Sequence, residues 1–190
     1  MSDSDRDVIR AVRGGDRDAF GQIVTRYQRR LFALMCVILR DRTAAEEVTQ
    51  DALVRAYTRL DRYDEGQPFY PWLATIAVRL AQNRLRGDAR TLRREGTPLD
   101  ATAEPAAGSS PLGALMAHER KARLRRAVTA LSSGERTAVM LYYRDELTVR
   151  EIARALGVTS GTIKTLLFRA RRRLRDRLGA PPAFDGGTST

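Results

Sequence analysis

The stretch "LTVREIARALGVTSGTIKTLLFRARRRL", Leu147–Leu174, decides the architecture. It holds two short apolar periods, a glycine between them and a dense arginine tail. Thr148 and Glu151 stand three apart, the spacing at which an N-cap hydroxyl and a third-position carboxylate satisfy each other's backbone N–H groups, so a helix opens there. A helix-turn-helix needs a small residue where its helices cross, a turn residue tolerant of positive φ, and an aliphatic anchor on its second helix. Ala153, Gly157 and Ile163 stand at those places. On the second helix Ile163, Leu167, Ala170 and Leu174 share one stripe, while Thr165, Phe168, Arg169 and Arg172 project from the other side with Lys164 on the flank. That polar face is the candidate reader of duplex DNA, since arginine pairs with guanine O6 and N7 or with phosphates. For the run from Arg171 onward the alternative is a solvated basic helix end favoured by the helix dipole.

Charge points the same way. The chain has 190 residues and a formal charge of +11, which makes a polyanion the first partner to consider. Residues 120–178 carry 16 basic against five acidic side chains, so most of the excess lies in the last third. Cys36 is the only cysteine, which excludes an intrachain disulfide and fits a reducing, cytoplasmic setting. It falls in the apolar run Leu31–Leu39, where a buried, inert thiol is expected. That run is the longest in the chain and far too short to span a membrane, and the N-terminus "MSDSDRDVIR" has no signal-peptide pattern. No membrane insertion is expected.

Working back from the helix-turn-helix, "GTPLDATAEPAAGSSP" between Gly96 and Pro111 has three prolines, small residues and no apolar period. It reads as a solvated linker. Before it, Phe20, Ile23, Val24, Tyr27, Leu31 and Leu34 follow the helical period, with Asp16 as the expected N-cap. Thr43 and Glu46 have capping-box spacing and predict a second helix through "VTQDALVRAYTRL". "DRYDEGQP" breaks the pattern, and a third helix is expected from about Pro71 through "WLATIAVRLAQNRLR". After the linker, Ser132 and Glu135 form another capping-box pattern. Nothing alternates with period two. The expectation is an all-α chain of two small helical domains, residues 1–94 and 113–178, joined by a linker at 95–112 and followed by a disordered tail at 179–190, with no further domain after it.

Taken together, "GDRDAFGQIVTRYQRRLFAL", "AAEEVTQDALVRAY", "FYPWLATIAVRLAQNRLR" and "LSSGERTAVMLYYRDELTVREIARALGVTSGTIKTLLFRARRRL" resemble regions 2 and 4 of bacterial sigma factors of the extracytoplasmic-function group, within the sigma-70 family. The resemblance runs from about Asp16 to Leu174. It implies a factor that directs RNA polymerase core to particular promoters. Glu46, Glu47, Gln50, Asp51 and Arg55 would dock on the clamp helices of the beta-prime subunit, and the second domain would meet the beta flap. The loop "YDEGQPFY" and the helix after it would recognise and open the minus-ten element, with Arg79, Asn83, Arg84 and Arg86 as strand contacts. Opened DNA offers its bases to a pocket, and arginines follow its backbone. Trp72 reads as core, and Tyr63, Phe69 and Tyr70 stay open between core and base contact. Lys164, Thr165, Phe168, Arg169 and Arg172 would read the minus-thirty-five element. An anti-sigma factor that covers the polymerase-binding faces is the further partner implied.

The chain departs from the family pattern in two places. The recognition helix often begins valine-lysine-serine-arginine-leucine-histidine, whereas this one has "IKTLLF", with Leu166 where an arginine is common and Phe168 where a histidine or another residue is common. Arg79 stands where asparagine is common.

Two other function classes compete with this one. A stand-alone helix-turn-helix regulator accounts for the last third and leaves the first ninety residues without a task. For an enzyme, the one histidine, His118, lies beside the linker, and the pairs Glu46-Glu47 and Asp145-Glu146 diverge if helical. No phosphate-binding glycine loop or metal-spaced cluster appears, so neither catalytic residue, metal nor cofactor is expected.

Overall fold

Among the described residues, apolar positions three and four apart wind the chain into eight α-helices, and no strand occurs. The computed structural model describes residues 3–95 and 113–179, so the linker Gly96–Pro111 and all but the first residue of the expected disordered tail lie outside it. The first unit comprises α1 (Asp3–Arg13), α2 (Phe20–Leu39), α3 (Arg42–Thr58) and α4 (Phe69–Glu95), with one 3-10 turn at Leu60–Arg62. The second comprises α5 (Gly113–Thr129), α6 (Ser133–Val139), α7 (Val149–Leu156) and α8 (Ser160–Leu178), with a π turn at Met140–Arg144 that extends α6.

Helix starts follow capping chemistry, with two corrections to the sequence reading. Ser132 with Glu135 and Thr148 with Glu151 both form reciprocal capping boxes. Thr43 with Glu46 does not. Asp41 caps α3 instead, its backbone extended and its carboxylate accepting from Ala44 N at 3.0 Å, because a carboxylate in that conformation reaches the free N–H first. Asp16 does not cap α2 directly: α2 begins at Phe20 after Ala19, and Asp16 accepts from Ala19 N at 3.2 Å within the turn before it. Helix α4 starts two residues ahead of Pro71, which therefore sits inside its first turn, where a missing N–H costs nothing.

In the first unit α2 and α3 pack against each other and α4 packs across both. Ile23, Leu31, Leu34 and Met35 of α2 are wholly buried, each contributing about 1.5–3 kcal/mol. They meet Ala45, Ala52 and Ala56 of α3 and Ala74, Ala77 and Ala81 of α4, whose small side chains let the helices approach closely. Tyr63, Phe69 and Tyr70, left open above, are buried at 3%, 1% and 5% exposure and belong to this core. Trp72 is only half-buried: its ring packs 5.2 Å from Tyr63 and 5.4 Å from Phe69, and its remaining surface faces a cleft. Cys36 is likewise half-buried, and desolvation pushes its thiol pKa up.

Helix α1, which the sequence reading did not single out, fastens the loop that leads into α4. Its Val8 and Ile9 enter the core, while Arg10 and Arg13 bind the Glu65 carboxylate at 3.1 and 2.6 Å. Arg13 also donates to the carbonyls of Leu60 and Tyr63 at 2.7 and 2.6 Å. Asp5, buried, receives Arg26 and the Tyr27 hydroxyl of α2.

In the second unit α6 and α7 pack on α8 through Ala138, Leu141, Ile152, Ile163 and Leu167. The units also meet: α7 lies along α4, and α6 with its π turn meets α2, so their cores form one continuous cluster.

Candidate nucleic-acid interface

The turn between α7 and α8 is built as the sequence requires. Gly157 has φ 68, a left-handed conformation that strains any residue with a Cβ, and Val158 N donates to Ala153 O at 3.0 Å to close α7. Thr159 caps α8, accepting from Thr162 N at 3.2 Å. Ile163, Leu167 and Ala170 are buried with Leu174 half-buried, and Lys164, Thr165, Phe168, Arg169 and Arg172 all lie on the exposed face.

The arginine run of α8 divides into two sets. Arg171 donates to the Tyr143 hydroxyl at 2.6 Å and sits 5.7 Å from the Tyr142 and Tyr143 ring centroids. Arg173 reaches back to the buried Glu135 at 2.7 Å, the same carboxylate that closes the α6 capping box. These two hold α8 to the rest of its unit, so they are not simply a solvated helix end. Arg169 and Arg172 make no hydrogen bond or ion pair with the described residues and stand one turn apart beside Phe168, which is 66% exposed. Leu166, in the position of the family's arginine, is half-buried and turns toward Gly134 at the start of α6. The contact exchanged for that arginine is internal packing.

The second surface is a cleft of about 650 Å³ between the loop after α3, α4 and α7. Trp72, Ile76 and Leu80 give it an apolar floor, and Arg55, Arg59, Arg62, Arg79 and Arg154 surround it. The loop is held in shape by its own bonds. Asp64 accepts from Gly66 N at 2.8 Å, the Tyr63 hydroxyl donates to Gln67 O, and the α1 arginines hold Glu65 from behind. Burial pushes the Tyr63 hydroxyl pKa up to about 12, with the nearby Asp5 carboxylate adding to the shift. A second crevice continues along α4 past Arg79, Asn83 and Arg86, bounded by Ala155, Leu156 and Gly157. Of the four strand candidates, Arg79 and Asn83 therefore line both spaces. Arg86 bonds to Asn83 at 2.8 Å, and Arg84 turns the other way, onto Glu47 of α3.

That ion pair joins a strand candidate to a polymerase-docking candidate. Glu46, Glu47, Gln50, Asp51 and Arg55 all lie on the exposed face of α3. Val54 sits among them at 61% exposure and was missed by the sequence reading; its signal was an aliphatic residue on the polar side of the helical period. Asp145 and Glu146 are not helical. Glu146 has φ 53 and is exposed, whereas Asp145 is buried, so the pair diverges for a different reason than helical geometry. Among the described residues no group of His, Cys, Asp and Glu could hold a metal ion, and no helix is long and apolar enough to cross a membrane.

Comparison with known proteins covers both units. Residues 23–91 match the family model for sigma-70 region 2, and residues 121–174 match the model for sigma-70 region 4. The chain is 33% identical over 177 residues to the ECF RNA polymerase sigma factor SigW of Bacillus subtilis, covering 90% of this chain and 94% of the relative. It is 30% identical over 181 residues to the RNA polymerase sigma-H factor of Pseudomonas aeruginosa, covering 89% and 91%. Among solved structures it resembles the sigma factor RpoE of Bartonella quintana in complex with the anti-sigma factor NepR, with TM-score 0.71 and 25% identity over 85% of this chain and 97% of that one. It also resembles CnrH in complex with the cytosolic domain of CnrY, with TM-score 0.63 and 25% identity over 93% and 97%.

Proposed function

Because the chain belongs to the extracytoplasmic-function group of the sigma-70 family and is an RNA polymerase sigma factor, we propose that its three exposed faces divide the work of promoter recognition. The face of α3 with Glu46, Glu47, Gln50, Asp51 and Arg55 docks on the beta-prime clamp helices of the core enzyme, and the second unit meets the beta flap. The cleft and the strip of α4 with Arg79, Asn83 and Arg86 take the opened minus-ten strand, and Arg84 joins them when it leaves Glu47. The face of α8 with Lys164, Thr165, Phe168, Arg169 and Arg172 reads the minus-thirty-five duplex. Residues 1–94 and 113–178 act as the two functional domains. The protein works in the cytoplasm without cofactor or catalytic group, and an anti-sigma factor holds it inactive, as the complexes of RpoE with NepR and CnrH with CnrY suggest by analogy.

The observation that carries the DNA assignment is the sorting of the α8 arginines. Arg171 and Arg173 are bound within the protein, and Arg169 and Arg172 are left for a polyanion. Separating the faces by mutation tests the division. Gln50→Ala with Asp51→Ala should abolish capture of core polymerase while leaving duplex binding intact, and Arg169→Ala with Arg172→Ala should do the reverse. Loss of both activities in either variant would contradict it.

A further inference from the structure

Three arginines on one face of α1 hold the loop that enters α4. Arg6, Arg10 and Arg13 are spaced four and three apart, so they share one side of the helix. Arg13 donates from Nη1 to one oxygen of the Glu65 carboxylate at 2.6 Å, and Arg10 from Nε to the other at 3.1 Å. Arg13 Nη2 donates to the carbonyls of Leu60 and Tyr63 at 2.7 and 2.6 Å, and Arg6 Nε to that of Glu65 at 3.3 Å. The weight falls on Arg13. Its side chain and that of Glu65 are 27% and 25% exposed, so the pair is partly withdrawn from water, whereas Arg10 at 65% makes a weaker, screened contact.

Helix α1 is a fixed point for the loop, because it is anchored elsewhere. Its buried Asp5 receives Arg26 and the Tyr27 hydroxyl of α2, and Val8 and Ile9 enter the core. The helix is thus a bracket between α2 and the loop. The loop has little else to place it. Between Thr58 and Phe69 its regular structure is one 3-10 turn, and its own ties, Asp64 to Gly66 N and the Tyr63 hydroxyl to Gln67 O, span four residues at most. Such bonds fix the shape of the tip and leave its position on the helices open.

The bracket places one wall of the cleft. Arg59, Arg62, Tyr63, Asp64, Gln67 and Pro68 line that wall, and the Tyr63 ring lies 5.2 Å from that of Trp72 on the floor. Among the described residues, neither Glu65 nor any residue of α1 lines the cleft. A strand bound there meets α1 only through the loop. Helix α1 also lies ahead of the residues matched by the region 2 model.

We propose that α1 is a positioning element for strand recognition: Arg13, with Arg10, grips Glu65 and so sets loop residues 59–68 in the place where they meet the opened strand. The effect on recognition rests on the reading of the cleft and α4 as the strand face; the grip on the loop does not. A released loop occupies the binding shape for only a fraction of the time, and apparent strand affinity falls by that fraction.

The sign of the effect separates positioning from charge. Glu65→Ala removes a negative charge near the arginines around the cleft, so electrostatics alone would tighten the hold on a polyanion, whereas loss of positioning weakens it. Trp72 is the only tryptophan, so its emission reports the loop in the free chain. Glu65→Ala and Arg13→Met should each shift that emission to the red and open it to acrylamide quenching. With the chain assembled on core polymerase, each variant should bind a pool of random-sequence single strands about tenfold more weakly. The bound fraction, sequenced, should show a flatter preference, while the salt slope and the capture of core stay as in the unaltered protein. The double variant should lose little more than Arg13→Met alone, because both changes release one contact. Trp72 emission unmoved in both variants overturns the grip on the loop. Strand binding by Glu65→Ala that is unchanged or tighter, with its preference intact, overturns the positioning role. If Arg79→Ala with Arg86→Ala leaves strand affinity unchanged in the otherwise unaltered protein, the strand reading fails and Trp72 alone decides the grip.

Discussion

Phe168 and Arg172 lie one turn apart on the same face of α8 and should fail differently when removed. Arg172→Ala deletes a charge facing outward, so duplex binding should weaken by about 1–3 kcal/mol if the arginine grips a base edge in bidentate fashion. If it neutralises a phosphate instead, the salt slope should fall by about one. Phe168→Ala removes apolar surface only, so affinity should fall with the salt slope unchanged. Fluorescence anisotropy across a salt series reads both, and wild-type behaviour in both variants would refute the assigned face. This face was legible in the sequence because helical period alone separates Ile163, Leu167 and Ala170 from Thr165, Phe168 and Arg169. The division of the arginines was not legible, because the partners of Arg171 and Arg173, Tyr143 and Glu135, are 28 and 38 residues away.

At the scale of the element, capping decides where helices begin. Thr148→Ala should cost about 1 kcal/mol in urea denaturation, since it removes the hydroxyl that accepts from Glu151 N and donates to the Glu151 carboxylate. Gly157→Ala should cost about 1–2 kcal/mol through its positive φ, although nothing lies within 4 Å of the added Cβ. A neutral effect there would show that the turn relaxes. Local patterns of this kind were readable where one candidate stood alone, as at Ser132 and Thr148. They misled where two competed: Asp41 outranks Thr43 because the chain is already extended at Asp41. Helix α1 escaped notice although Val8, Ile9 and Val12 carry a helical period, because its purpose, holding the Glu65 loop, depends on a segment more than fifty residues away.

For the whole molecule, the joining of the two units was beyond any local pattern, since Arg30 and Asp145 are 115 residues apart and each reads in isolation as an ordinary surface charge. Buried hydroxyls tie this assembled core to pH. Burial raises the pKa of Tyr27, Tyr63 and Tyr70 above the ordinary value of 10, Tyr63 to about 12. The unfolded chain thus releases these protons first as pH rises. Their contribution to stability is intact below pH 10 and is lost progressively as pH climbs from 10 through 12 and beyond. Urea midpoints measured from pH 8 to 12 should hold level up to about 10 and fall thereafter; a flat profile would mean that these hydroxyls stay solvated.

The central claim, that three exposed faces serve one act of promoter recognition, is tested most directly by in vitro transcription from a genomic fragment library with purified core polymerase. Transcript starts that appear only with this protein, and that vanish with either the α3 variant or the α8 variant, are the predicted result. Duplex binding with no new start from a competent core enzyme would contradict it.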